Sequence, residues 1–202
     1  LQDTHKEQGY EGLRGSANLP EVSLGMIVAV SGLTGAGKTT TAQLLAERLS
    51  WPHISFSFKE EARRRGISLM EMQGIAEQDP NIDLEFDRAQ VEAVRSHKDC
   101  VTSTWLGPWK VGADLKVWLY ADERVRAERI AARDGMGLEE ALRHIRERDD
   151  QNRRRYMRLY SIDIGNLYNY HLCINTALYT PERVVDILED EVRRWLKKDR
   201  SV

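Results

Sequence analysis

The stretch Val28-Ala29-Val30-Ser31-Gly32-Leu33-Thr34-Gly35-Ala36-Gly37-Lys38-Thr39-Thr40 constrains the fold more than any other part of the chain. It matches G-x-x-x-x-G-K-[ST], with Gly32, Gly37, Lys38 and Thr39 at the four defined positions. A backbone that wraps an anion with its N–H groups pointing inward leaves no room for Cβ atoms and needs dihedral angles open to glycine. A helix that opens directly after the loop adds its own unpaired N–H groups and its dipole. In this pattern the lysine, Lys38, is placed to reach β/γ-phosphates and the Thr39 hydroxyl to reach Mg²⁺. The flanks agree with that reading. Met26 to Val30 is a short apolar run of buried-strand type, and Thr41 to Leu49 carries Ala42, Leu44, Leu45 and Leu49 at helical spacing.

A length of 202 residues suits one domain with a substantial core, with room for a small inserted subdomain. Residues 1–24 are polar and broken by Gly9, Gly12, Gly15 and Pro20, so they read as a disordered extension ahead of a domain over 25–202. Charged residues make up 31% of the chain while the net charge is −2, so the two signs are interspersed and no chain-wide basic field recruits nucleic acid. No run approaches the roughly 18 apolar residues of a membrane helix, and no secretory signal is visible. The expectation is a cytoplasmic protein, a monomer or weak oligomer, free of membrane and nucleic acid. Cys100 and Cys173 each sit in a short apolar segment and are expected to be buried, reduced thiols.

Further strands are expected at His53–Phe56, Cys100–Ser103, Leu115–Tyr120 and Tyr170–Ile174. Between the second and third lie three short charged helices, one of them opened by the capping box Ser68-Leu69-Met70-Glu71. Their polarity predicts a mobile flap without a core layer of its own. Helices are also expected over 121–133 and 139–160, and Thr180-Pro181-Glu182 starts a last amphipathic one. Alternation of strand and helix argues for an α/β fold with a parallel sheet.

A phosphate-cradling loop serves many activities, so other motifs must choose among them. The Asn-Lys-x-Asp base-reading motif of GTPases is absent, and the strand at Cys100 ends in Ser-Thr rather than in the acidic residues usual for translocating ATPases. The Arg-dense stretch from Arg143 to Arg158 is more telling, because phosphoryl transfer needs positive groups around the moving phosphoryl. Arg148, Asn152 and Arg155 stand at i, i+4 and i+7 and share one helix face. Read without the loop, that face is an ordinary solvated one, with Asp149 and Asp150 partly neutralising it.

From Met26 to the last helix the sequence resembles the cytidylate kinases, in particular the compact archaeal-type branch of the nucleoside monophosphate kinases. The resemblance rests on Ser31 to Thr40, Arg65-Gly66-Ile67-Ser68-Leu69, Asp79-Pro80-Asn81-Ile82-Asp83 with Asp87-Arg88-Ala89-Gln90, and Ala113-Asp114-Leu115-Lys116-Val117-Trp118-Leu119. Arg126-Ala127-Glu128-Arg129-Ile130, the Arg148 to Tyr156 run, Ile162-Asp163, and Ile174-Asn175-Thr176 ahead of Pro181-Glu182-Arg183 extend it. It implies a P-loop fold with a five-stranded parallel sheet flanked by helices, a helical acceptor-binding insertion at 57–98 and an Arg-rich lid at 146–163. The implied activity moves the γ-phosphoryl of ATP to CMP or dCMP with Mg²⁺. Lys38, Arg148 and Arg155 would be catalytic; Gly32, Leu33, Thr34, Gly35, Ala36, Gly37, Lys38, Thr39 and Thr40 would hold the donor phosphates, and Asn175 and Thr176 would lie near the adenine. Thr39 would meet the metal, and Ser55, Lys59, Asp83, Arg88 and Trp105 would line the acceptor site.

Two segments depart from the family pattern. The turn after the second strand is shortened to Ser55-Phe56-Ser57-Phe58-Lys59, which leaves Lys59 nearest an Arg that holds the acceptor phosphate. Where the third strand normally ends in an acidic residue, Gly and Arg, the chain has Ser103, Thr104 and Trp105. A tryptophan can stack on a base but cannot pair with a phosphate. A P-loop kinase for another small acceptor, or a nucleotide-binding module without turnover, therefore stays open on sequence.

Overall fold

Strand β1 (Ile27–Gly32) runs through the middle of a five-stranded sheet, and its sequence explains the position: Val28, Ala29, Val30 and Ser31 are all buried, as residues must be when helices cover both faces. The coordinates are a computed structural model that describes residues 25–55 and 58–199, without the side chains of residues 59, 60, 77, 80, 198 and 199. Residues 1–24, read above as an extension, lie outside the described residues. The elements that follow are α1 (Lys38–Leu49), β2 (His53–Ile54), α2 (Phe58–Arg65), α3 (Leu69–Gln78), α4 (Pro80–Arg95), β3 (Cys100–Ser103) and α5 (Gly107–Lys110). After them come β4 (Leu115–Tyr120), α6 (Glu123–Asp134), α7 (Leu138–Tyr160), a short 3₁₀ turn, β5 (Leu172–Asn175) and α8 (Pro181–Asp199). The strand order is β2-β3-β1-β4-β5 and every pairing is parallel.

One face of the sheet packs Val28, Val30, Leu115, Val117 and Leu119 against Leu45 of α1 and Val185, Leu188 and Val192 of α8. The other sets Ala29 and Cys100 against Val94 of α4 and Val111 beyond α5. Helix α3 starts as its capping box requires: the Glu71 N–H donates to Ser68 Oγ at 3.1 Å, and the Ser68 N–H donates to Glu71 Oε2 at 2.7 Å. Helix α4 starts at Asp79, whose carboxylate accepts from the Asn81 N–H at 3.0 Å, with Pro80 in the first turn.

Several expectations need correction. Helices α2 to α4 do have an apolar centre, built from Phe58, Ala62, Met72 and Ala76 with Ile82 and Phe86 packed on it. Each helix contributes too few apolar residues to reveal this alone, and only three together close the cluster. Strand β2 is two residues long, and Ser55 follows it outside the strand, its Oγ accepting from Ser103 Oγ at 3.3 Å. Cys100 is buried in β3 while Cys173 is exposed on β5, an edge strand, and both are free. Helix α5 is an added element. The Leu106 and Gly107 N–H groups donate to Thr104 Oγ1 at 3.0 and 3.2 Å, and Pro108 fills the first turn.

Candidate active site

The loop between β1 and α1 is closed by contacts that tolerate only glycine at two points. At Gly35, φ is +77° and an added Cβ would lie 2.6 Å from the Arg126 carbonyl oxygen; at Gly32 it would lie 2.2 Å from that of Leu119. Helix α1 begins at Lys38 with no side-chain cap, so its first N–H groups face the loop and stay available to an anion. Lys38 Nζ donates to the Leu33 carbonyl at 2.9 Å and stands 4.6 Å from the centroid of the Trp105 ring. Burial, reinforced by the nearby Arg148 guanidinium, brings its pKa down to about 7.

A set of buried charges fixes the loop from behind. The Thr34 N–H donates to Asp149 Oδ1 at 3.0 Å, while Arg126 Nη1 donates to Asp149 Oδ2 at 2.7 Å and to the Thr34 carbonyl at 2.9 Å. Helices α6 and α7 thus grip one peptide unit on each side of Thr34. Arg129 continues the line: its guanidinium donates to Thr176 Oγ1 at 2.9 Å and to the Thr176 carbonyl at 2.7 Å. Thr176 Oγ1 in turn donates to the Ala36 carbonyl at 3.1 Å. The loop is therefore held by α6, α7 and the turn after β5.

A cleft of about 500 Å³ extends from this loop across the C-terminal ends of β1 and β3. Thr34 to Thr41, Arg129, Arg133 and Thr176 line one half, and Ser55, Phe58, Gln73, Asp83, Phe86, Asp87, Gln90 and Trp105 line the other. Arg148, Asn152 and Arg155 of α7 stand between the halves. Arg155 lies 3.2 Å from Asp83 Oδ1, donates to Asn152 Oδ1 at 2.6 Å, and stacks over Phe58 and Tyr156 with 4.7 and 5.2 Å to their centroids. Burial outweighs the pull of Arg155 and pushes the Asp83 carboxyl up to about 6. Asp83 Oδ2, Gln73 Oε1 and Arg148 Nε are buried without a hydrogen-bond partner among the described residues. Polar atoms so placed call for a ligand that satisfies them. Tyr160 donates to Asp87 Oδ2, which ties the end of α7 to α4.

The cleft brings together Thr34, Gly35, Ala36, Gly37, Lys38, Thr39, Thr40, Thr176, Ser55, Asp83, Trp105, Arg148 and Arg155. Gly32 and Leu33 shape the loop without lining it. Two expected site residues stand elsewhere. Asn175 turns back to accept from the Ala177 N–H at 3.0 Å, which keeps its side chain in its own turn. Arg88 is exposed on α4, because a helix that points Asp83 and Asp87 inward turns the next residue about 100° away. The side chain of Lys59 lies outside the described residues. No group of three or more His, Cys, Asp or Glu side chains able to hold a metal occurs among the described residues; a Mg²⁺ ion arriving with a nucleotide would find the Thr39 hydroxyl on the cleft wall. That donor set fits an ion that keeps several waters and shares the phosphate oxygens of its nucleotide.

The cytidylate kinase-like family matches residues 27–178, from β1 to the turn after β5. The chain belongs to that family. It is 44% identical over 178 residues to a cytidylate kinase of Pyrococcus abyssi, an alignment covering 86% of this chain and 97% of that one. With a cytidylate kinase of Pyrococcus furiosus the identity is 45% over 169 residues, covering 81% and 86%. Among solved structures, a gluconokinase from Sinorhizobium meliloti 1021 superposes with a TM-score of 0.55 at 19% identity, over 87% of this chain and 95% of that one. At such identity the likeness is one of fold, and the family membership rests on the sequence relatives.

Proposed function

We propose that this member of the cytidylate kinase-like family transfers the γ-phosphoryl group of ATP to CMP or dCMP. The observation that carries the reading is a single cleft in which the phosphate-cradling loop faces buried, unpartnered oxygens on Asp83 and Gln73. Such oxygens accept from an N–H donor, and cytosine presents an exocyclic amino group where uracil presents a carbonyl. The high identity to archaeal cytidylate kinases supports the same choice.

The protein's part in phosphoryl transfer is positioning and charge compensation. The loop N–H groups and the start of α1 bind the β- and γ-phosphates of the donor. Lys38 follows the charge as it shifts from the γ-phosphoryl toward the leaving oxygen, and Arg148 and Arg155 bracket the transferring group from α7. Mg²⁺, held by Thr39 and phosphate oxygens, would offset further negative charge. In this reading α2 to α4 form the acceptor-binding insertion, and the part of α7 around Arg148 to Arg155 forms the lid that excludes water.

The test is a coupled assay with ATP and Mg²⁺ against CMP, dCMP, UMP and AMP. CMP or dCMP should show the highest kcat/KM, and Lys38→Ala should lower kcat by about two orders of magnitude or more, a loss of ~3 kcal/mol in transition-state stabilisation. Turnover of another acceptor with none of CMP or dCMP would remove the acceptor assignment. Unchanged turnover in Lys38→Ala would remove the donor site.

A further inference from the structure

Lys38 is buried in a place that is electrostatically poor for a cation. Around it stand Arg148 of α7 and Arg126 and Arg133 of α6, all repulsive, against the attractive carboxylate of Asp149. That carboxylate is already engaged by Arg126 and the Thr34 N–H. One N–H of the ammonium group is taken by the Leu33 carbonyl, and the group lies over the Trp105 indole. An aromatic face attracts a desolvated cation without occupying its N–H groups, so two donors stay available for phosphate oxygens. A carboxylate in the same place would compete with the phosphates for them.

The indole is held as a fixed support should be. Ser31 Oγ donates to the Trp105 carbonyl at 3.0 Å, which ties it to β1. Thr104 caps the following turn, and the ring packs beside Tyr156 with 6.5 Å between centroids. Trp105 therefore touches the cleft's two halves at once.

We infer that Trp105 is a positioning residue for Lys38, its indole face holding the ammonium group at the junction of donor and acceptor while leaving it free to bind phosphate. The inference rests on the donor-site reading above and adds a role for a side chain that otherwise reads as an acceptor wall. A positioning role acts on the chemical step whatever the acceptor. An acceptor wall acts on acceptor KM and differs between acceptors.

The first test needs no turnover. In protein labelled with 5-fluorotryptophan, loss of one ¹⁹F resonance in Trp105→Phe assigns the signal of residue 105. Lys38→Met, which keeps length and loses charge, should move that signal more than any other indole resonance in the ligand-free protein. An unmoved signal overturns the inference. In the kinetic test, Trp105→Leu should lower kcat by about tenfold with CMP and dCMP alike, leaving KM for ATP within about threefold, and Trp105→Phe should recover most of the loss. A change confined to acceptor KM, or no recovery with Phe, overturns it as well. If no acceptor is turned over by the wild type, the functional proposal fails while the fluorine measurement still decides the Lys38–Trp105 contact.

Discussion

Asp149→Ala removes one carboxylate that serves both a main-chain N–H and a buried guanidinium. In the wild type, Asp149 and Arg126 have side chains only 6% and 7% exposed and stand 2.7 Å apart, so water cannot replace the lost partner. Leaving one member of a buried pair uncompensated costs about 3–5 kcal/mol. For a chain of this size, at about 2–4 °C per kcal/mol, the melting temperature should fall by about 6–20 °C. Arg126→Ala should cost a similar amount, since Asp149 would then be the stranded charge. The double variant strands neither, so its cost should be well below the sum of the two, with an interaction energy of about 2–3 kcal/mol. Urea unfolding of the four proteins, followed by circular dichroism, gives the cycle. The same change frees the peptide at Thr34, so affinity for a non-hydrolysable ATP analogue, measured calorimetrically, should weaken by about tenfold in protein that is still folded. Additive single costs, or an Asp149→Ala variant within about 0.5 kcal/mol of wild type, would refute the clamp.

Two further perturbations address the acceptor side and the loop. Asp83 has a folded-state pKa raised by burial from 3.8 to about 6, so the folded state binds its proton more tightly than the unfolded state does. Its contribution to stability is fully present below about pH 4 and is lost as pH rises through about 6, whereas Asp83→Asn has no such titration. The stability of wild type relative to Asp83→Asn, read from urea midpoints between pH 4 and 7.5, should therefore decline with rising pH; a flat difference would sink the assignment. Gly35→Ala forces a Cβ to within 2.6 Å of the Arg126 carbonyl at a φ of +77°, so ATP-analogue binding should be lost or fall by at least about tenfold, with a destabilisation of about 1–3 kcal/mol. Wild-type affinity in that variant would show that the loop can shift away from α6.

What could be read in the sequence was what local chemistry dictates. The glycines from 32 to 37, the capping box at Ser68 and the Asp79-Pro80 start of α4 each satisfy a requirement within a few residues of themselves. Arg148 and Arg155 were legible from helical spacing next to the loop motif. The Arg126–Asp149 clamp was not, because its partners are 23 residues apart on different helices, and inside an Arg-rich run Asp149 reads as a neutralising charge. Arg129 stood in a segment that carries the family resemblance but with no role attached, and Gln73 carried no signal that separates it from other polar helix residues. The family resemblance suggested an acceptor contact for Arg88, yet its place on the helical wheel sends it to solvent. Cys173 is exposed on β5, an edge strand, and alternation of strands and helices does not fix strand order.

The position of β2 and β3 at one end of the sheet has a consequence for how such a chain can change. The segment from Ser55 to Asp99 leaves the sheet from β2 and returns in β3, and these strands are direct neighbours in register, with His53 beside Val101. Its entrance and exit are thus adjacent, and it carries its own apolar centre. The nucleotide cradle hangs on β1, β4, β5, α6 and α7, outside that excursion. The excursion is therefore joined to the sheet at adjacent strand ends, with the Val91 and Val94 face of α4 as its own cover for the sheet, while the side chains that grip Thr34 come from α6 and α7. A graft of residues 55–99 from a relative with another acceptor would need to match the pair of strand ends, the Val91 and Val94 face of α4 that covers the sheet, the Asp87 contact with Tyr160 and the surface that meets Arg155.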